Sequence, residues 1–406
     1  MGDNSRISWT DATWNPVSGC TKVSEGCANC YIDRTPPFRI ARRRFLKAGE
    51  HDRDCQVVTA SNWQRMQETI ECTCRSSVQI GATTGVTLHP ERLQQPLRWR
   101  RPRRIFVNSL SDVFHDEVSD WFIAQMFAVM AASPQHTYQV LTKRPARMRA
   151  LLTSRRVAEG PGGWMTFEAM VRNAYSALKN NQGRCIREDE PRGLNEVLGW
   201  ANAEEFPWPL PNVWLGVSAE NQKWADRRIP QLLETPAAVR FVSMEPLLGA
   251  VKLSRLHAHC PTHDFDGGWC TGPCPDRRIP DWVIVGGESG PNARPMHPDW
   301  AVALRDQCAE VGIPYWFKQW GEWVEVPIED ARPGDQWLLG GDRAVHWPYP
   351  WRVDNPPQAA AAPGRWASER DVLLRRVGTK TAGHLLEGVE YHQWPAAVAV
   401  ELAAGE

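Results

Sequence analysis

The chain has 406 residues, enough for one large barrel domain or two medium domains with a hydrophobic core. Lysine plus arginine equals aspartate plus glutamate at 47 each, so the net charge is zero and no global field favours nucleic acid or membrane. The first residues lack an apolar signal segment and no stretch approaches about 18 apolar residues, which predicts a cytoplasmic protein without membrane contact.

Three cysteines near the amino terminus, Cys20, Cys27 and Cys30, have C-x6-C-x2-C spacing. Three thiolates in one loop fit three corners of a cubane iron–sulfur cluster and leave the fourth iron open to a reacting ligand. A closed zinc site would need a fourth ligand from elsewhere, and three inert buried cysteines are the other alternative. Gly19 and Gly26 suit a backbone that wraps tightly around a metal centre.

The middle of the chain alternates short β-branched or aromatic runs with helical stretches. Near-continuous apolar runs indicate strands buried on both faces, and strands alternating with helices imply a parallel sheet. Apolar stripes from Val118 to Met130 and from Trp300 to Val311 predict helices, the second ending at Gly312. The predicted strands are 104–109, 137–143, 213–218, 240–245, 282–288 and 314–318, with 7–9 and 86–88 as further candidates.

This alternation predicts an α/β fold with a mostly parallel sheet, as a full or partial (β/α) barrel. An open doubly wound sheet is the competing topology. Polar, irregular stretches near 35–85 and 152–210 are interpreted as loop insertions. Residues 1–330 would then form the barrel, and 331–406 a linker and a small C-terminal tail, because 355–364 is rich in proline and alanine.

Polar residues follow each predicted strand, where the working surface of such sheets lies. In Gly286-Gly287-Glu288 the glycines let the backbone approach a ligand and fix a carboxylate beside it, although a tight turn has the same pattern. Such a rim would hold the ribose, ammonium and carboxylate of an adenosyl cofactor. Its candidate residues are Asn108, Ser109, Lys143, Ser218, Glu245, Gly286, Gly287 and Glu288.

Two further groups of residues suggest binding. The segment 98–104 has five arginines in seven residues, which would contact phosphates while Trp99 stacks on a base, or would form a solvated face. Histidines and cysteines between 257 and 274 predict a separate structural zinc site, with a flexible polar insertion as the alternative. Its members are His257, His259, Cys260, His263, Cys270 and Cys274.

The block from Trp9 to Tyr31, with its three cysteines, resembles a bacteriophage- and prophage-associated family of three-cysteine-motif proteins of unknown function. That family resembles a divergent branch of the radical S-adenosylmethionine enzymes, which typically use C-x3-C-x2-C. Here the first gap is six residues and the Gly-Gly-Glu lies late in the barrel. Further blocks that carry the resemblance are 104–115, 139–145, 214–218, 243–247, 286–290 and 317–321.

The resemblance implies a 4Fe-4S cluster on Cys20, Cys27 and Cys30, with S-adenosylmethionine at its open iron and Glu288 as a cofactor contact. One electron from the cluster would give a 5′-deoxyadenosyl radical, which would abstract hydrogen from a substrate. A phage setting implies a nucleic-acid base or nucleotide as substrate and a phage-encoded partner protein.

Two other function classes stay open. One is a zinc-containing nucleic-acid-binding module that uses the cysteine loops and the arginine run. The other is a metal-dependent hydrolase or nuclease that uses Asp112, Glu245 and Glu288. The sequence lacks a phosphate-binding loop, a dinucleotide fingerprint and a zincin motif, which lowers the support for those enzyme classes.

Overall fold

The computed structural model describes residues 7–45, 80–154, 165–179, 206–253, 279–338 and 372–395, with short strands between these ranges. Its strands are β1 (Ala12–Trp14), β2 (Val17–Ser18), β3 (Ser61–Asn62), β4 (Gln67–Glu68), β5 (Thr87–Leu88), β6 (Arg104–Val107), β7 (Thr137–Thr142), β8 (Ala158–Gly160), β9 (Gly163–Met165), β10 (Val213–Ser218), β11 (Val239–Met244), β12 (Trp282–Gly286), β13 (Tyr315–Gln319), β14 (Trp323–Val326), β15 (Gln336–Leu338), β16 (Trp351–Arg352) and β17 (Val372–Arg376). Its α-helices are α1 (Pro36–Ile40), α2 (Asp120–Ala131), α3 (Pro145–Thr153), α4 (Phe167–Asn180), α5 (Gln222–Leu233), α6 (Pro298–Val311) and α7 (Thr379–Ala382).

Seven strands form one sheet in the order β1-β6-β7-β10-β11-β12-β13, and every neighbouring pair is parallel. The sheet is curled into a half-barrel and flanked by helices. Spatial order follows chain order, because each crossover returns the chain to the next position along the sheet. The prediction of a full or partial barrel with a mostly parallel sheet is therefore confirmed, as a half-barrel.

The helices begin and end where local chemistry fixes them. Ser119 Oγ accepts a hydrogen bond from Phe122 N and caps α2, and Asn221 Oδ1 accepts from Trp224 N and caps α5. Helix α6 ends at Gly312 in a left-handed conformation, as its sequence predicts. Among the helices that the structure describes, none has the length and apolar content needed to cross a membrane.

The amino-terminal strand differs from the prediction. Residues 7–9 form a turn, in which Thr10 N donates to Ile7 O, and the Trp9 ring packs inside the half-barrel. The edge strand is β1, whose three residues are too few to give a clear sequence pattern. The other candidate strand, near 86–88, is β5, which pairs with β2 in a separate ribbon.

The two faces of the sheet carry different clusters of buried side chains. Alternate residues of each strand point to opposite faces, so Val283 and Val285 join the helix-packed core while Trp282 and Ile284 join a second cluster. The aromatic members of this second cluster lie near the amino ends of the strands: Trp9, Phe106, Trp214, Phe241, Trp282 and Trp316.

Further along the same strands this inner face becomes polar. Ser218, Ser243 and Lys318 occupy it near the carboxyl ends of β10, β11 and β13. The inner face therefore has an apolar base at the amino ends of the strands and a polar opening at their carboxyl ends. This polar opening is called the mouth below.

The carboxyl-terminal part of the chain closes one edge of the main sheet. Phe317 N of β13 donates to Tyr391 O at 2.8 Å, and the His392 ring stacks on Trp316 with centroids 4.1 Å apart. Covering an edge strand removes a site of unwanted strand pairing. A separate antiparallel sheet, β14-β17-β15-β16, joins a strand of the predicted barrel segment to strands of the predicted tail. The domain boundary at 330 stays a prediction.

The insertions proposed near 35–85 and 152–210 are described in part. Helix α4 lies within the second, and its Phe167, Met170 and Val171 are buried in the main core. Helix α1 lies within the first and buries Phe38.

Replacing Trp282 tests how much the aromatic base of the half-barrel contributes to stability. Its side chain is 0% exposed, and the centre of its ring lies 6.1, 6.0 and 5.9 Å from those of Trp9, Trp214 and Trp316. Trp282→Ala should lower the free energy of unfolding by about 3–5 kcal/mol through lost burial and a new cavity. The measurement is urea unfolding, with Val389→Ala, whose side chain is 50% exposed, as a control that should cost less than about 0.5 kcal/mol.

Candidate functional site

The cysteine loop, residues 19–31, crosses the carboxyl ends of the half-barrel strands. Four hydrogen bonds tie it to residues that follow β6, β10 and β12: Gly19 N to Leu110 O (2.9 Å), Ser24 Oγ to Glu220 Oε1 (2.8 Å), Asn29 Nδ2 to Glu288 Oε2 (2.9 Å) and Tyr31 Oη to Ser109 O (2.6 Å). The loop is thus anchored at several places around the mouth, and its three cysteines lie between these anchors.

Two glycines let the loop approach the sheet. A Cβ at Gly26 would lie 2.2 Å from Glu220 Oε1, and a Cβ at Gly19, where φ is +97°, would lie 1.7 Å from Gly85 O. Both distances are too short for any side chain. The predicted tight wrapping therefore has a specific cause, which is contact with a buried carboxylate and with a neighbouring backbone segment.

The three thiols influence one another. Burial raises the pKa of the Cys20 thiol to about 12, and Cys27 and Cys30 add to this rise. Burial, then Cys27, raises the pKa of the Cys30 thiol to about 11. Since the effects of Cys27 on Cys20 and on Cys30 are electrostatic, the three partly buried cysteines lie within electrostatic range of one another.

Among the described residues, no three His, Cys, Asp or Glu side chains are arranged to hold a metal ion. A single zinc ion needs all its thiolates at about 2.3 Å. In a cubane cluster each thiolate binds a different iron, so the thiolates stand further apart. The described geometry therefore does not form a ready site for one ion, and the cluster stays a prediction.

Glu220 is the buried charge on which the loop lies. Its side chain is 0% exposed and pairs with Arg228 of α5 at 2.9 Å and with Lys143 after β7 at 3.4 Å. Burial by itself would raise the pKa of Glu220, but Arg228, Lys143 and the Ser24 hydroxyl lower it to about 2. The carboxylate is therefore ionised at neutral pH and joins the loop to β7 and α5.

Lys143 is held by Ser218 and Glu220. Its Nζ donates to Ser218 Oγ at 3.0 Å. Burial would lower the pKa of Lys143, but Glu220, together with Cys27 and Cys30, raises it above its ordinary value. The predicted site residue Lys143 is thus a charged ammonium within electrostatic range of two of the three thiols.

Arg144 connects Asp112 to Cys20. Its Nη1 lies 3.1 Å from Asp112 Oδ2 and 3.9 Å from Cys20 Sγ. Asp112 also accepts a hydrogen bond from Thr142 Oγ1 at 2.7 Å. Burial would raise the pKa of Asp112, but Arg144 and the hydrogen bonds lower it. This buried ion pair holds the guanidinium against a predicted cluster ligand.

A polar row crosses the inner face of the sheet at the mouth. Ser218 and Ser243 are cross-strand neighbours, Ser243 Oγ donates to Glu245 at 3.2 Å, and Glu245 pairs with Lys318 at 2.7 Å. Gly286 lies between β11 and β13, and a Cβ there would be 3.3 Å from Glu245 Oε1. The predicted residues Ser218, Glu245 and Gly286 are therefore close together.

Glu288 is held by Arg294 and by the cysteine loop. Arg294 donates to Oε1 at 2.6 Å and through Nε to Oε2 at 2.8 Å, and Asn29 also donates to Oε2. Gly287 is needed for packing, because a Cβ would lie 1.9 Å from Trp320 O. The predicted contact of Glu288 with a cofactor stays a prediction, and Oε1 is the oxygen with room for another donor.

Asn108 and Ser109 brace the start of the cysteine loop. Asn108 has φ of +59°, a left-handed conformation that asparagine tolerates, and its Oδ1 accepts from Val17 N at 3.3 Å. Its buried Nδ2 has no hydrogen-bond partner within the described residues. Ser109 Oγ donates to Asn15 Oδ1 at 3.1 Å. Asn108 and Ser109 thus lie after β6 and contact the chain before the cysteine loop, and their role in cofactor binding stays a prediction.

A family model matches residues 4–395, and its description is "Protein of unknown function (DUF5131)". The chain belongs to this family. The match spans nearly the whole chain and includes the cysteine loop and every strand of the half-barrel. No curated protein and no solved structure matches the chain.

The carboxylates of the hydrolase alternative are not gathered around one point. Each pairs with a different cation: Asp112 with Arg144, Glu245 with Lys318 and Glu288 with Arg294. A carboxylate whose charge is already balanced by a cation attracts a metal ion less strongly. The geometry of these residues therefore gives the hydrolase alternative no specific support.

The two other predicted binding groups lie away from the mouth or outside the described residues. The arginine run at 98–104 precedes β6 and so lies at the amino ends of the strands, where Arg104 pairs with Asp11 at 2.8 Å. The predicted zinc ligands all fall outside the described residues: His257, His259, Cys260, His263, Cys270 and Cys274.

Sequence reasoning missed the residues that hold the carboxylates of the site. Arg228 had a signal, because it follows Trp224 by four residues and precedes Leu232 by four, which places it on the buried face of α5. A basic residue on an apolar stripe predicts a buried partner. Arg294 and Asn29 lie in loops, where no periodic pattern marks a side chain as buried.

The anchoring role of Glu220 can be tested by Glu220→Gln. Removing the charge leaves Arg228 and Lys143 buried with less compensation, so the free energy of unfolding should fall by about 3–5 kcal/mol. Urea unfolding followed by tryptophan fluorescence measures this loss. The control is Glu25→Gln in the same loop, whose pair with Lys223 is partly exposed and should contribute less than about 1 kcal/mol. Equal losses in the two variants would contradict the anchoring role.

Proposed function

We propose that this protein is an iron–sulfur enzyme of the radical S-adenosylmethionine type, with a 4Fe-4S cluster on Cys20, Cys27 and Cys30. The observation that carries the proposal is the position of the cysteine loop over the carboxyl ends of a parallel half-barrel sheet. Enzymes with such sheets bind their ligands at this end. The resemblance of the motif blocks to radical S-adenosylmethionine enzymes gives the chemistry.

The surroundings of the thiols suit a cluster that carries negative charge. Lys143 lies within electrostatic range of Cys27 and Cys30, and the Nη1 of Arg144 lies 3.9 Å from Cys20 Sγ. Arg144 acts against the effect of burial on the pKa of Cys20, and Lys143 acts against it on that of Cys30, although burial is the larger effect at both thiols. When bound, the cluster and S-adenosylmethionine supply one-electron chemistry, and the protein supplies orientation and exclusion of water.

The polar row and Glu288 would orient the cofactor. Glu288 Oε1 has room to accept a hydrogen bond from an ammonium group. The ammonium of Lys318, already beside Glu245, is placed to pair with a ligand carboxylate. Ser218 and Ser243 offer hydroxyl groups at the same level of the sheet. These groups match the three polar parts of an adenosyl amino acid.

The substrate that we propose is a nucleic-acid base or nucleotide, in the cytoplasm and with a phage-encoded partner protein. This part of the proposal is supported by the phage association of the three-cysteine-motif family that the sequence resembles. The zinc-binding alternative differs from it in metal content, so metal analysis separates the two.

The first test is the metal content of anaerobically purified and reconstituted protein. We expect about four iron and four sulfide per chain in the unmodified protein and loss of both in Cys27→Ala. The control is Cys308→Ala, which removes a buried thiol of α6 outside the site and should keep the iron. Zinc in place of iron would favour the nucleic-acid-binding module, and full iron in Cys27→Ala would remove Cys27 as a ligand.

The second test concerns Arg144. An N–H group that points at a ligand sulfur and a nearby positive charge both favour the reduced cluster, so they raise its reduction potential. The double variant Asp112→Asn with Arg144→Gln removes the buried pair together and avoids an unpaired carboxylate. The reduction potential of the cluster in this double variant should be more negative, as measured by a redox titration followed by electron paramagnetic resonance. The control is Arg149→Gln, which removes a partly exposed arginine of α3 and should leave the reduction potential unchanged.

A further inference from the structure

A basic surface lies beside the cysteine loop, although the net charge of the chain is zero. It is formed by the segment 31–45, which directly follows Cys30. Its four exposed arginines, called the arginine surface below, are Arg34, Arg39, Arg42 and Arg44. Among the described residues, none of these four arginines takes part in an ion pair. The surface was not part of the predicted sites, because the segment lies in a stretch interpreted as a polar insertion.

The segment that carries the arginine surface is firmly packed and returns to the cysteine loop. Phe38 is buried, and the guanidinium of Arg43 lies 4.9 Å from the centre of its ring. Arg43 Nε donates to Thr84 O at 3.0 Å. The ammonium of Lys22, two residues after Cys20, lies 4.6 Å from the centre of the Phe45 ring. The backbone that carries the exposed arginines is therefore held next to the cysteine loop.

Arg42 occupies a position that glycine usually fills. Its φ is +54°, and Arg43 N donates to Phe38 O at 2.8 Å, which is the hydrogen bond of a helix end with a left-handed residue. A side chain is disfavoured there, and that of Arg42 is exposed. Nothing in the described fold requires an arginine at this position, so its side chain points to a role outside the fold.

Two exposed apolar side chains accompany the arginines. Tyr31 is 51% exposed and Ile40 is 83% exposed. The hydroxyl of Tyr31 is fixed by Ser109 O at 2.6 Å, so its ring is a rigid platform immediately after Cys30. Aromatic rings interleaved with basic residues are the usual means of binding unpaired bases together with their phosphates.

We infer that the arginine surface and Tyr31 bind single-stranded nucleic acid. Guanidinium groups bind phosphate oxygens in pairs, and a local basic surface on a neutral chain attracts a polyanion to that place alone. A single strand fits better than a duplex, because unpaired bases are free to stack on Tyr31. A strand held here would present a base to the cysteine loop. That last step rests on the proposed function, whereas the binding itself does not.

The test is fluorescence anisotropy of the full chain with labelled single-stranded DNA and RNA of one sequence, and with the duplex, over a range of salt concentrations. We expect Arg39→Gln with Arg44→Gln to weaken binding of the single strand. The slope of log K against log salt should fall by about 1.4, because each phosphate contact to a single strand contributes about 0.7. The matched control, Arg227→Gln with Arg332→Gln, removes two exposed arginines outside the segment 31–45 and should change neither.

Two single variants separate binding from folding. Arg42→Gly should keep or raise the melting temperature, because glycine suits a positive φ, and should still lower the salt slope by about 0.7. Tyr31→Leu should weaken binding by about 5- to 150-fold, the loss expected for one stacked base, without changing the slope. The DNA and RNA arms identify which nucleic acid is preferred.

Several outcomes would overturn the inference. These are absence of binding by the unmodified chain, equal affinity for the duplex, and equal losses in the control pair. Iron analysis of the same samples keeps this inference apart from the proposed function. If protein that cannot hold iron still binds single-stranded nucleic acid, the inference about the arginine surface stands and the iron–sulfur enzyme is rejected. If iron-loaded protein binds no single-stranded nucleic acid, the iron–sulfur enzyme stands and the inference about the arginine surface is rejected.

Discussion

The buried carboxylate of Glu220 is the interaction on which the position of the cysteine loop depends. It follows β10, pairs with Arg228 and Lys143, and accepts the hydroxyl of Ser24 from the loop. Gly26 lies against the same carboxylate, so the loop backbone itself contacts the charge. A fully buried carboxylate is tolerated only when cations and donors surround it. Meeting that requirement brings a sheet residue, a helix residue and the loop to one point.

The same arrangement recurs around the mouth with different residues. Arg144 neutralises Asp112, and Arg294 neutralises Glu288. Buried ion pairs often add little net stability, because desolvation offsets the attraction between the charges. Their contribution here is geometric: each pair fixes a long, flexible cation in one direction. Arg144 is thereby held 3.9 Å from Cys20 Sγ, a position that a solvated arginine would not keep.

Much of the fold could be predicted from the sequence, because buried parallel strands produce long apolar runs. β10 and β12, buried at every position, stood out in this way, and the carboxyl ends of such strands located the predicted rim. β1 was missed since three residues carry too little pattern. The pairing of Glu288 with Arg294 was also missed, because loop side chains have no periodicity that shows which of them are buried.

The glycines show a second reason why the contacts within the site could not be predicted from the sequence. Gly287 was interpreted as room for a ligand, and the structure fills that room with the Trp320 carbonyl. Gly26 was assigned to wrapping around a metal, and it lies against Glu220. A glycine in a sequence reports that something approaches closely, but it does not report what approaches. Only the fold distinguishes a ligand from a neighbouring segment of the same chain.

The inner face of the half-barrel differs between the two ends of its strands. Near the amino ends of the strands the inner face is filled by aromatic rings. Trp394 stacks on Trp282 at 5.1 Å, and Trp9 meets Trp282 edge to face at 6.1 Å. The carboxyl ends have polar groups instead, and the cysteine loop lies across them. Access is therefore restricted to the end that carries the thiols. A half-barrel has no continuous wall of strands around that end, so the cysteine loop, and not an eighth strand, limits the space beside the polar row.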